Sequence, residues 1–120
     1  MRHPNPHADL EPETAFQLLS NDRRRAIVYA VAEADGPLSV EELTAIISAS
    51  EEGLTPTRVD PRTKRAVRGD LEQRQLPELV GAGILVERAD TTYVSGPNLR
   101  GLIAAADAAA SHLDLSEGVG

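Results

Sequence analysis

The sequence predicts a mainly α domain carrying a small β-hairpin, followed by one further helix. Three observations lead there. Apolar residues recur at three- and four-residue spacing in successive segments between Pro12 and Val80. Two short apolar stretches, ILVE (84–87) and TYVS (92–95), flank a turn at Arg88–Thr91. A last segment from Pro97 to about Leu113 then carries apolar residues at near-heptad spacing and an alanine-rich tract from Ala104 to Ala110.

The composition bounds the rest. A chain of 120 residues makes one domain with a modest core. Phe16, Tyr29 and Tyr93 are its only aromatics, so that core is aliphatic. The absence of cysteine excludes disulfides and thiolate metal sites. The start, MRHPNPHADLEPE, is polar and proline-broken, and no apolar run approaches the ~20 residues of a membrane span. A cytoplasmic protein is expected. Residues 1–10 read as a disordered tail and 114–120 as a fraying one. His3 and His7 stand four apart, but Pro4 and Pro6 deny them the helix that would make them metal ligands.

The elements follow in order. Pro12 suits the first turn of a helix to Leu19, with Glu11 and Glu13 at its positive end and Ala15, Phe16, Leu18 and Leu19 as its apolar face. Ser20 or Asn21 can cap a second helix from about Asp22 to Ala34, whose buried face is Ile27, Val28, Val31 and Ala34. Arg23, Arg24 and Arg25 occupy its first turn, the unfavourable end for cations. They need acidic partners, whether Glu11, Glu13 or others, or a phosphate. Asp35-Gly36-Pro37 is a turn. Ser39 with Glu42 is a capping box for a third helix, with Leu43, Ile46 and Ile47 facing inward, that fades between Ser50 and Gly53.

Asp60-Pro61 starts a fourth helix strongly. Val67, Leu71, Gln75 and Leu79 form its inner face, beside Leu76 and Val80. Arg65, Arg68 and Glu72 fall opposite. Pro77 clashes with the carbonyl of Gln73, so a kink or break is expected there. Three helices followed by a hairpin form the layout of a winged helix-turn-helix domain (11–96). In that fold the helix before the hairpin, here about 61–80, is the recognition helix, and the hairpin 84–95 is the wing.

Charge points to the same helix. The net charge is −7, yet Arg58 to Arg74 holds six cations against three carboxylates, a local net of +3 on a remainder of −10. A basic island on an acidic body suits nucleic acid; a solvated face of intrahelical ion pairs is the plainer alternative. Eleven of the twelve basic residues are arginine, and such acid-rich, lysine-poor usage fits solubility in high salt.

Two stretches carry a resemblance. FQLLSNDRRRAIVYAVAEADGPLSVEELTAII (16–47) and LEQRQLPELVGAGILVE (71–87) are similar to the two hallmarks of a family of small winged-helix domains abundant in halophilic archaea. That family usually has histidine where this chain has Gln75. The resemblance implies a DNA-binding or transcription-regulatory module; no cofactor is expected.

The expected contacts to double-stranded DNA are Arg62, Lys64, Arg65 and Arg68 on the helix, Arg58 on the preceding loop, and Arg88, Thr91 and Thr92 on the wing. Leu99, Leu102, Ile103, Ala106, Ala110 and Leu113 of the last helix (97–113) form a candidate homodimer seam; the alternative is that they cover their own domain. A rival reading is a protein-interaction module on the same scaffold. An enzyme is not expected. The chain has neither cysteine nor a phosphate-cradling glycine motif, and among its folded residues only His112 is a histidine.

Overall fold

The computed structural model describes residues 11–108. Both expected tails, and with them Ala110 and Leu113, lie outside those residues.

Helix α1 (Pro12–Leu19) begins with its proline in the first turn and buries Ala15 and Leu18. These two stand 60° apart on the helix. Phe16 falls on the outer side and is 74% exposed, which removes it from the expected apolar face. Asn21 caps α2 (Asp22–Glu33) by accepting the amide of Arg24 at 3.0 Å, and Ile27, Val28 and Val31 are buried. Helix α3 (Val40–Glu52) starts on the expected capping box of Ser39 and Glu42 and stops at Gly53, whose φ of 67° suits a residue without Cβ. Leu43 and Ile47 are fully buried. Ile46 is not: 42% exposed, it lies on the rim of a crevice bounded by Gly36 and Pro37.

Between α2 and α3 the chain makes a strand not expected from the sequence, β1 (Leu38–Ser39). It pairs antiparallel with β3 (Thr92–Ser95), opposing Leu38 to Tyr93 and Ser39 to Thr92. The hairpin partner β2 (Leu85–Glu87) lies on the other side of β3, so the strand order is β1-β3-β2. Helices, strand and hairpin together give a winged helix-turn-helix arrangement.

The basic helix is built in three parts: α4 (Pro61–Asp70), a π-helical turn (Leu71–Gln75) and α5 (Leu76–Gly81). The disruption expected at Pro77 takes the form of a widening one turn earlier. The Leu76 amide reaches five residues back to the Leu71 carbonyl, and the chain stays helical through to Gly81. Val67, Leu71, Gln75, Leu76 and Leu79 are all buried, while Val80 is 36% exposed.

The last helix, α6, covers residues 99–108 of those described. Leu99 and Leu102 are 4% and 1% exposed within the domain's own core, and Ile103 packs against it. This corrects the dimer seam: its first two leucines face inward, because a stripe at this spacing covers α-helical neighbours in the same chain equally well. Ala106 is half-buried. A tight corner ties α6 to the hairpin. The Gly96 amide donates to the Ile84 carbonyl at 2.7 Å, the Asn98 amide to the Gly83 carbonyl at 2.9 Å, and Asn98 Nδ2 to the Ala82 carbonyl at 2.9 Å. No helix among the described residues is long and apolar enough to cross a membrane.

Candidate nucleic-acid interface

The Asp60 side chain accepts the Arg62 amide at 2.8 Å and Pro61 takes the first helical position, which fixes where α4 begins. Val67 then anchors α4 in the core, and the exposed side is left to cations. Arg62 and Arg65 are exposed and Lys64 is half-buried. Arg58 stands exposed on a single 3-10 turn (Pro56–Arg58) ahead of the helix. Among the described residues, none of these four side chains lies within ion-pair distance of a carboxylate.

Arg68 differs. Its Nε donates to Glu72 Oε1 at 2.7 Å, and its Nη1 to Glu41 Oε1 on α3 at 3.3 Å. The hydrogen bond that Arg68 donates to Glu72, with the charges of Glu72 and Glu41, raises the guanidinium pKa further. A groove of about 300 Å3 separates the two helices, lined by Glu41, Thr44, Ala45, Lys64, Arg65 and Arg68. The arginine face is therefore divided: its N-terminal part is free of carboxylates, and Arg68 is held by two. Arg74 lies 3.9 Å from Asp70.

The wing is less suited to anions than expected. Thr92 donates both its amide and its hydroxyl to Asp90 Oδ1, and the Thr91 hydroxyl donates to the Asp90 carbonyl. The hydroxyl of Thr92 holds the Asp90 carboxyl below its usual range, so a negative charge sits at the tip. Thr91 and Thr92 are thus engaged within the turn and are corrected from phosphate donors to turn-forming residues. Arg88 is exposed near them, its amide bound to the Thr92 carbonyl at 2.7 Å.

The three arginines of α2 all find protein partners, none of them Glu11 or Glu13. Arg23 forms a fork with Glu51 (2.6 and 2.9 Å) and reaches Asp70 at 3.1 Å; Arg24 meets Glu78 at 2.9 Å; Arg25 meets Asp22 and the Leu19 carbonyl. Gln75, 3% exposed, donates to Asp70 at 3.1 Å, while its own carbonyl oxygen has no partner among the described residues. No group of three or more metal-ligating side chains occurs among the described residues.

Glu41 and Asp90 escaped the sequence reading. Glu41 resembles any first-turn acid, and its contact spans 27 residues that no spacing rule connects. Asp90 was legible in principle, since Asp followed by Thr in a tight turn commonly binds its own backbone two residues on.

The model of a family described as a domain of unknown function (DUF7344) matches residues 16–95. The chain belongs to this family. The matched DUF7344 region runs from the second half of α1 through β3, so it contains α4, the groove and the whole hairpin, and α6 follows it. No curated protein and no solved structure matches the chain.

Proposed function

We propose that this DUF7344 domain binds double-stranded DNA, laying α4 in the major groove, and serves as a transcriptional regulator rather than an enzyme. One observation carries this reading. On α4 and the 3-10 turn before it, Arg58, Arg62, Lys64 and Arg65 make no ion pair with a carboxylate among the described residues. Arginine offers a planar fork to guanine or phosphate, and Lys64 a point charge to phosphate. Arg88 adds a backbone contact from the wing. The acidic remainder favours a setting of high salt in the cytoplasm of a halophile. At about 1 M salt the Debye length is ~3 Å, so affinity there rests on direct contacts rather than long-range steering.

A second reading has its own support. The two carboxylates on Arg68 and the one at the wing tip suit a partner protein with mixed charge better than a polyanion. Duplex binding of R62A/R65A, compared with wild type over a range of potassium chloride, separates the two. The DNA reading expects a loss of at least about tenfold and a salt slope flatter by roughly 2. Unchanged retention by a folded R62A/R65A protein would favour the interaction module.

A further inference from the structure

We propose that Glu41 and Glu72 form a built-in competitor for phosphate at Arg68, which restrains indiscriminate attraction to DNA backbone. The inference rests on the DNA-binding reading and concerns the same surface.

The two acids in the first turn of α3 have different tasks. Glu42 closes the capping box, its Oε1 accepting the Ser39 amide at 3.0 Å. Glu41 takes no part in the cap. It reaches across the groove to Arg68, while Glu72 approaches the same guanidinium from one helical turn further along the basic helix. Nothing in the core requires these contacts. The side chains of Arg68, Glu41 and Glu72 are 44, 75 and 50% exposed, so a phosphate can reach the guanidinium from solvent. A carboxylate offers arginine the same fork of acceptor oxygens that a phosphate does. Beside this occupied arginine stand Lys64 and Arg65, which line the same groove and have no such partner among the described residues.

A phosphate arriving at Arg68 must therefore displace two carboxylates, which then face it across a few ångströms. Backbone held only by its charge meets that penalty. A duplex already seated on Arg62, Lys64 and Arg65 does not need the Arg68 contact. The competition also flattens the response to salt, because exposed ion pairs and phosphate contacts weaken together as salt rises.

The test is anisotropy of a short labelled duplex of mixed sequence, titrated at several potassium chloride concentrations. The proteins are wild type, E41Q/E72Q, E41Q/E72Q/R68A and E11Q/E13Q. The last removes equal charge from the start of α1 and its N-cap. E41Q/E72Q is expected to bind several-fold tighter with a salt slope steeper by about 0.9, one phosphate contact. Adding R68A abolishes both gains, and E11Q/E13Q leaves the slope at the wild-type value. If E41Q/E72Q keeps the wild-type slope, or its gain survives R68A, the competitor is refuted while DNA binding stands. If none of the four proteins binds duplex, the DNA reading falls and this inference with it.

Discussion

Asp70 is where single residues reveal most about how the basic helix is held. Its carboxylate accepts from Arg23 of α2 and from Gln75 within the π-turn, each at 3.1 Å, so one side chain joins α2 to both halves of the basic helix. Burial pushes its pKa up, but the hydrogen bonds from Gln75 and Arg23 outweigh that and leave it below the ordinary value. A carboxylate whose folded pKa is depressed contributes stability above its unfolded pKa, about 3.9, and loses it as pH falls through the folded value. Urea melts should therefore show D70N less stable than wild type at about pH 6–7, with the gap closing as pH drops below about 4. A gap independent of pH would mean that Asp70 acts through packing alone. The sequence located Gln75 on the inner face but not its partner, because the Asp70–Gln75 contact depends on a helix of non-standard pitch. It placed Phe16 inside on hydrophobicity alone. The angles of an eight-residue helix, with Ala15 and Leu18 already turned inward, leave Phe16 no inner position.

At the scale of elements, caps decided what could be read. Pro12, Ser39 with Glu42, and Asp60-Pro61 are local signals, and α1, α3 and α4 begin where those signals stand. Two elements had no local signal. β1 has two residues, too few to show alternation, and exists only because β3 passes beside it. The π-turn answers a steric problem posed by Pro77 whose several solutions the sequence does not rank. The hairpin's attachment to α6 is more constrained than either. A Cβ built on Gly96 would lie 2.4 Å from the Gly83 carbonyl oxygen, and backbone cannot swing aside as a side chain can. G96A should therefore cost about 1–3 kcal/mol, as overpacking usually does. Thermal melting checks this, and an unchanged midpoint would show that the corner has slack.

For the whole molecule, the main question is whether the last helix serves its own domain or a second copy. A leucine stripe near heptad spacing looks alike in sequence for both uses. Burial assigns Leu99 and Leu102 to the domain's own core. L102A should then lower unfolding stability by about 2–5 kcal/mol, and urea denaturation at two protein concentrations should give the same midpoint at each. A concentration-dependent midpoint would instead make this helix part of an interface. Charge was legible at the same scale only as a sum. The basic excess of α4 was plain in the composition. Its division into a free N-terminal part and a held Arg68 was not, since that depends on where α3 places Glu41.

The two-residue strand β1 has a mechanical consequence. Ser39 pairs with Thr92, beside the turn of the wing, and, with the same backbone, starts α3. Wing and α3 thus meet at a corner set by one residue's torsions, φ −79° and ψ 165°, with no hinge between them. The approach to α4 is built differently. Every residue from Gly53 to Arg58 is exposed, and Val59, 5% exposed, is buried just before the helix starts. Any surface this domain meets therefore encounters two parts held by different means: the wing by backbone pairing at the start of α3, and the basic helix by side chains, Val67 in the core and Asp70 against α2.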